Sequence, residues 1–221
     1  MPSLSYHDKI AVLDLGDDEN RFSPTFLDAM NTHLDTVLAN GAQGLVTTAS
    51  GKFYSNGLDL DWLGGNGDRA DWYIGEVQAL FARVLALPVP TAAALPGHAF
   101  GAGAMLAIAH DYRVMRADRG YFCFPEVDIH IPFTAGMAAL IQAKLTPKTA
   151  VASMTTGRRF GGNDALAVDI VDATAAEGAI TDAALAMLAP LGGKDPNTLG
   201  AIKNTMFADA IAALSAARQP N

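Results

Sequence analysis

Residues 97–126 read GHAFGAGAMLAIAHDYRVMRADRGYFCFPE, and this stretch predicts the central features of the fold. Small residues surround Gly101, an apolar run with the length of a short helix follows, and the stretch ends on Glu126 directly after a proline. The first amides of a helix have no partner within the helix and lie at its positive end, where they bind negative charge. We therefore expect backbone donors near Ala102 and a base at Glu126.

The Gly-x-Gly pair at positions 101 and 103 has a second interpretation. The pair does not complete a dinucleotide-binding fingerprint, because Leu106 stands where that fingerprint has its third glycine. Small residues at the end of a strand also often serve close packing alone. On these residues by themselves, packing and charge binding both remain open.

Composition indicates one domain with a large core, because half of the 221 residues are hydrophobic. The net charge is −8 and no run of Lys or Arg occurs, which argues against nucleic acid as a partner. Apolar runs fall short of the roughly 20 residues of a membrane span, so no membrane partner is expected. Cys123, the only cysteine, has no disulfide partner, and the N-terminus lacks a secretion signal, so we predict a cytoplasmic protein.

The first half of the chain alternates strand-like and helix-like segments. Aliphatic runs at 10–15, 44–49 and 91–95 predict buried strands. Ser23 and Pro24 form a helix-start signal, and an amphipathic pattern recurs from Ile74 to Val84. Strands with helical crossovers predict parallel pairing in an α/β core.

The second half changes character after two further predicted strands at 112–116 and 120–124. We divide the chain into a core at 1–132 and a helical C-terminal region at 133–221, within one structural unit, and expect the latter to act as a lid or an assembly surface. Helices are predicted at 135–144, 147–156, 163–168, 180–191 and 196–217.

Several enzyme classes are excluded by missing motifs: the chain has no GxSxG, GxxxxGK[ST], CxxC or HExxH. Its five histidines lack the spacing of metal ligands, so no metal site is predicted.

A second motif, FYSNGLDL at 53–60, precedes the first by one predicted helical crossover. Together the two motifs resemble the crotonase superfamily of acyl-CoA enzymes. The resemblance covers nearly the whole chain and implies a ββα superhelix (spiral) core. It also implies an oxyanion hole made by the backbone amides of Leu58 and Ala102.

Within that superfamily, the segments at 97–99, 110–120 and 126–129 look most like Δ3-Δ2-enoyl-CoA isomerases of the plant and peroxisomal type. Hydratases of the superfamily carry a second glutamate where this chain has Met105. Water addition needs two proton-handling groups, whereas one base can move a proton from C2 to C4. The resemblance thus implies an isomerase with Glu126 as its single base, and burial is expected to raise the pKa of that carboxyl.

The implied substrate is a coenzyme A thioester, with no cofactor, and the implied assembly is a homotrimer or a hexamer formed as a dimer of trimers. We expect Asp59 to hold its loop by bonding backbone amides. Lys52 is interpreted as a contact for CoA phosphates or as a solvated charge, and Trp62 as part of an acyl tunnel or of the core. The residues assigned to substrate binding are Lys52, Tyr54, Asn56, Gly57, Leu60, Trp62, Gly101, Met105, Phe124 and His130.

Two residues near Glu126 are left with open roles. Asp128 points away from the substrate if its segment is extended and could act as a second acid if the segment is coiled. His130 replaces a glycine frequent in related chains, and it could trim the pocket, tune Glu126 or simply pack. The rival functions are hydration, thioester hydrolysis and a catalytically silent acyl-CoA binding protein.

Overall fold

The strands form two sheets in the computed structural model, which describes residues 1–216. All neighbouring strands pair in parallel except the first two of the larger sheet. The larger sheet has, in spatial order, β1 (Ser3–His7), β2 (Ile10–Asp14), β3 (Gly44–Thr48), β5 (Thr91–Leu95), β7 (Tyr112–Arg116) and β9 (Ala173–Ala175). The smaller sheet has β4 (Phe53–Ser55), β6 (His98–Phe100) and β8 (Phe122–Cys123).

The chain repeats a ββα unit, in which a strand of the large sheet is followed by one of the small sheet and then a helix. β3 and β4 lead through α2 (Leu60–Gly65) and a 3-10 turn at Gly67–Arg69 into α3 (Ala70–Leu85). β5 and β6 lead into α4 (Ala102–Ala109), and β7 leads into β8. This order confirms the predicted superhelical α/β fold.

Local signals explain the boundaries of these elements. Helix α1 (Pro24–Ala39) begins where Ser23 Oγ accepts the Phe26 amide, with proline at its first position. β5 is fully buried on both faces, as its Thr-Ala-Ala-Ala-Leu sequence predicts, since the main core lies against one face and α8 (Ile180–Leu188) against the other.

The C-terminal region is mainly helical and shares the core of the first half. Within residues 1–216, no helix is both long and apolar enough to cross a membrane. Helix α10 (Ala208–Ala216) packs against α5 (Ala135–Lys144) and against α3, so it contacts the first half of the chain. Besides α8, the helices are α5 (Ala135–Lys144), α6 (Pro147–Met154), α7 (Gly162–Ala167), a 3-10 turn at Ala189–Leu191, α9 (Pro196–Met206) and α10 (Ala208–Ala216).

The structure corrects several predicted elements. The C-terminal region is not purely helical, because β9 extends the large sheet beside β7. The predicted helix 196–217 is two helices separated at the buried Phe207, and its last predicted residue, Ala217, lies outside the described residues. β1, β4 and β6 were not predicted as strands, and β8 is shorter than the predicted 120–124.

Candidate active site

The loop after β4 lies directly against the start of α4. Gly57 has a φ of +84°, and a Cβ atom at this position would lie 2.8 Å from the Phe100 oxygen and 2.9 Å from the Ala102 nitrogen. Both the left-handed backbone and the close approach require glycine. The amides of Leu58 and Ala102, which are distant in sequence, are therefore neighbours in space.

Both of these amides have an unused N–H group in the part of the chain that the structure describes. Ala102 is the first residue of α4, whose first intrahelical bond is donated by Met105 to the Gly101 carbonyl, 3.0 Å away. Among residues 1–216, neither the Leu58 amide nor the Ala102 amide donates a hydrogen bond. Free amides at the positive end of a helix can stabilise an oxyanion.

The close-packing interpretation also holds, for a different glycine. A Cβ atom at Gly103 would collide with the Ser55 carbonyl oxygen, so this glycine lets α4 pack on β4. The two interpretations of the Gly-x-Gly pair thus apply to neighbouring residues.

The loop between β2 and α1, which sequence reasoning missed, holds the 53–58 segment in place. Asn20 is 2% exposed, and its Nδ2 donates to the carbonyls of Gly16, Phe53 and Tyr54 at 3.1–3.2 Å. The Phe22 amide donates to the Gly57 carbonyl at 2.9 Å, which fixes the peptide unit that carries the Leu58 amide. The only sequence signal is that asparagine tolerates the left-handed conformation found here, with φ +49°.

Glu126 lies in a hydrogen-bonded turn that follows β8. The Asp128 amide donates to the Pro125 carbonyl at 2.8 Å, and the Ile131 amide donates to the Glu126 carbonyl at 3.1 Å. A Cβ atom at Gly101 would lie 3.4 Å from Glu126 Oε1, so the carboxyl group lies beside the start of α4. The structure therefore brings Glu126 and the Ala102 amide to one place.

The carboxyl group of Glu126 is poorly solvated. The residue is 8% exposed as a whole, and its Oε2 is buried without a hydrogen-bond partner in the part of the chain that the structure describes. Burial raises its pKa from 4.5 to about 7, although a hydrogen bond to its own amide opposes the shift. An open cavity of about 570 Å³ adjoins it, lined by Glu126, Val127, His130, Ile131, Pro132, Phe133 and Met154. A carboxylate in such a setting is a stronger base than one in water.

Comparison with known proteins shows the family of this chain. The sequence profile described as enoyl-CoA hydratase/isomerase matches residues 6–221. The chain belongs to the enoyl-CoA hydratase/isomerase family. The resemblance to the crotonase superfamily is thereby confirmed.

Individual relatives agree with this family. Enoyl-CoA delta isomerase 3 of Arabidopsis thaliana is 37% identical over 74% of this chain and 72% of its own length. The peroxisomal enoyl-CoA delta isomerase 2 of the same plant is 37% identical over 72% and 70%. Carnitinyl-CoA dehydratase of Shigella flexneri is 34% identical over 72% and 60%. The predicted likeness to isomerases of the plant and peroxisomal type is confirmed, whereas the cytoplasmic location stays a prediction.

Solved structures show the same fold. A probable enoyl-CoA hydratase from Mycobacterium tuberculosis has a TM-score of 0.91 and 27% identity, covering 98% of this chain and 92% of the other. Human mitochondrial Δ3-Δ2-enoyl-CoA isomerase has a TM-score of 0.91, with 21% identity and coverage of 98% and 87%. The second likeness, at its lower identity, concerns the fold alone.

Three of the predicted substrate-binding residues have buried side chains in this structure. Tyr54 was predicted to bind substrate, but its side chain is 0% exposed and its hydroxyl lies 2.8 Å from Thr47 Oγ1 inside the core. Met105 and Phe124 are also buried in the main core, so neither presents surface to a ligand in this structure. Those three assignments are corrected to core positions.

The other predicted contacts surround the loop after β4. Lys52 is exposed, with Nζ 5.2 Å from the centre of the Phe53 ring, and Leu60 is 41% exposed. Asn56 is half-buried and donates to Glu19 Oε1. Trp62 packs against Trp72 and Tyr73, which agrees with the interpretation of Trp62 as part of the core. The Asp59 carboxylate accepts the Trp62 amide at 3.0 Å, so Asp59 caps α2 as expected.

Asp128 and His130 lie in the same turn as Glu126. The segment is coiled, which is the condition under which Asp128 was considered as a second acid, but its carboxylate lies against Gly157. His130 is exposed, lines the cavity beside Glu126 and has a φ of +59°. Glycine adopts such a left-handed conformation without strain, whereas an imidazole-bearing residue does so less readily.

Proposed function

We propose that the protein is a Δ3-Δ2-enoyl-CoA isomerase that moves the double bond of a 3-enoyl-CoA to C2 through a single base. The observation that carries the proposal is the pairing of one buried carboxyl, Glu126, with two free amides, while position 105 holds a methionine. The delta isomerases of Arabidopsis among its relatives support the same choice.

In the first proposed step, Glu126 takes a proton from C2 of the thioester. The C2–H bond breaks, its electrons form the C1–C2 double bond of a dienolate, and negative charge builds on the thioester oxygen. The amides of Leu58 and Ala102 donate to that oxygen and stabilise the charge, and losing one such donor costs about 3–4 kcal/mol.

In the second step, the protonated Glu126 returns the proton to C4. The C4–H bond forms, the double bond settles between C2 and C3, and the oxyanion reverts to a carbonyl. Glu126 begins and ends as a carboxylate, so the sequence of steps balances without another reactant. A pKa near 7 lets the group be both an adequate base and an adequate acid at neutral pH.

The substrate-binding expectations are part of this proposal. Lys52 remains the proposed contact for the phosphates of CoA, because it is exposed next to the oxyanion loop. A homotrimer or hexamer and a catalyst without a cofactor likewise remain proposals.

A substrate comparison tests the proposed function. The purified protein is expected to convert 3-hexenoyl-CoA to conjugated 2-hexenoyl-CoA, followed by absorbance, and not to hydrate 2-hexenoyl-CoA. Asp128→Asn is the matched variant, and it is expected to isomerise like the wild type. Hydration at a comparable rate that Asp128→Asn abolishes favours a hydratase, release of free CoA favours a hydrolase, and binding of hexanoyl-CoA without turnover favours the silent binding protein.

A further inference from the structure

Three buried polar side chains form a continuous hydrogen-bonded chain behind the candidate site. Tyr54 Oη lies 2.8 Å from Thr47 Oγ1, Thr47 Oγ1 lies 2.9 Å from His110 Nε2, and His110 Nδ1 lies 2.9 Å from the Leu106 carbonyl. Tyr54, Thr47 and His110 are all 0% exposed. The proposed reaction does not use any of these side chains directly.

The direction of each hydrogen bond in this chain follows from chemistry. The Leu106 carbonyl can only accept, so His110 Nδ1 carries a proton. Burial lowers the pKa of His110 to about 4, so the ring is neutral at pH 7 and Nε2 is an acceptor. The Thr47 hydroxyl therefore donates to Nε2, and the Tyr54 hydroxyl donates to Thr47. Every ring nitrogen and hydroxyl proton in the chain is satisfied.

This hydrogen-bonded network of Tyr54, Thr47 and His110 joins the two segments that carry the oxyanion amides. Tyr54 lies on β4, four residues before Leu58, and Leu106 lies on α4, four residues after Ala102. Thr47 on β3 bridges them through the interior. The Asn20 side chain donates to the Tyr54 carbonyl, so Tyr54 on β4 is held through both its backbone and its side chain.

We infer that Tyr54, Thr47 and His110 are positioning residues that hold the Leu58 and Ala102 amides at a fixed separation. The inference rests on the proposed function. A donor must sit at the place where charge develops, and a misplacement of 1 Å can cost about 100-fold in rate. A fully satisfied buried network is rigid, and it is costly to disrupt because its groups cannot turn to water.

Thr47→Val tests the inference, since it removes the central hydroxyl and nearly keeps the side-chain shape. Thr48→Val is its matched control. Thr48 is the next residue of β3, is 7% exposed and bonds through its hydroxyl to Thr181 Oγ1 at 3.2 Å, towards α8 and away from α4. Tyr54→Phe is a milder second variant, because it cuts only the link to β4 and retains the bond between Thr47 and His110.

Three measurements separate a positioning role from a role in stability alone. Hydrogen–deuterium exchange of the free protein is expected to be faster in Thr47→Val and Tyr54→Phe at hydrogen-bonded amides of two segments, namely Asn56 and Gly57 in the loop after β4 and Met105 at the start of α4. No such change is expected in Thr48→Val. With 3-hexenoyl-CoA, kcat is expected to fall about 10- to 100-fold in the first two variants while KM stays close to the wild-type value. In these two variants, the C=O stretching frequency of bound hexanoyl-CoA is expected to differ less from its value in water than it does in the wild type.

Failure of this inference is distinguishable from failure of the proposed function. If the wild type does not isomerise 3-hexenoyl-CoA, the proposed function is wrong, and the exchange of the free protein still tests the positioning role. The inference is overturned if Thr47→Val and Tyr54→Phe match Thr48→Val in exchange at both segments, or if they lose stability while exchange there stays at the wild-type rate.

Discussion

Gly57 and Ala102 are in backbone contact, although 45 positions separate them: a Cβ atom at Gly57 would lie 2.9 Å from the Ala102 nitrogen. This contact places the oxyanion loop on the first turn of α4. It depends on a residue without a side chain, at a left-handed backbone conformation.

Gly57→Ala is expected to separate the loop from α4 and to lower kcat by about 100-fold, since the added methyl has no room. The unfolding free energy is expected to fall by about 1–3 kcal/mol. Steady-state kinetics and denaturant unfolding measure the two effects.

Gly41→Ala is the control for that substitution. Gly41 has a similar φ of +65°, but a Cβ atom there meets nothing within 4 Å. It carries the backbone strain without the collision, so kcat should be unchanged. Equal losses of kcat in the two variants would show that the contact with Ala102 is irrelevant to activity.

The rate should follow the ionisation of Glu126, because only the carboxylate accepts a proton. With its pKa near 7, kcat/KM is expected to rise with pH up to about pH 7 and to level off above it. A pH–rate profile with 3-hexenoyl-CoA measures this. An inflection near the ordinary glutamate value of about 4.5 would contradict the buried setting of this base.

The same shift predicts a pH dependence of stability. The folded-state pKa is raised, so between about pH 4.5 and 7 the folded protein binds more protons than the unfolded chain, and its stability falls as pH rises. Relative to Glu126→Gln, the wild type should lose about 2–3 kcal/mol of unfolding free energy between about pH 5 and pH 8. Urea unfolding of both proteins at the two pH values measures the difference, and parallel pH curves would refute the expectation.

Asn20→Gly removes the side-chain clamp, that is, the hydrogen bonds of Asn20 Nδ2, and keeps the backbone conformation, because glycine tolerates the φ of +49°. Loss of the two Nδ2 N–H donors, which are shared among three carbonyls, is expected to lower the unfolding free energy by about 2–3 kcal/mol and to reduce kcat about tenfold. Asp8→Gly is the control, since Asp8 is exposed and has a φ of +52°. A kcat as high in Asn20→Gly as in Asp8→Gly would exclude a positioning role for the clamp.

Lys52→Ala is expected to raise KM for 3-hexenoyl-CoA several-fold, on the order of 1 kcal/mol of binding free energy, with kcat unchanged. The increase should shrink at high salt, because the proposed contact with CoA phosphates is electrostatic. Lys9→Ala is the control, as Lys9 is exposed before β2, at the other end of the parallel strands. An unchanged KM for Lys52→Ala would leave Lys52 as a solvated charge.

Local patterns allowed much of the fold to be predicted from the sequence. The Ser23 cap, the apolar strand 91–95 and the amphipathic face of α3 each carry their signal within a few residues. Strands such as β4 and β6 have three residues, too few to show an alternating pattern, and they exist because of pairing with each other across the fold.

The roles of Ala102 and Glu126 came from the family resemblance, because the residues of each motif alone left packing and charge binding open, and these roles stay predictions. Tyr54 was misassigned because its neighbours in sequence belong to the oxyanion loop, whereas its side chain points into the core. Asn20 was missed because its partners, Phe53 and Tyr54, lie more than 30 positions away. Such contacts arise only once the chain has folded.

The most direct test of the single-base mechanism is the rate at which Glu126→Gln converts 3-hexenoyl-CoA to the conjugated thioester. We predict a fall of about 1000-fold with binding of hexanoyl-CoA retained, because the amide cannot accept the C2 proton. A rate within about tenfold of the wild type would show that another group is the base and would contradict the account.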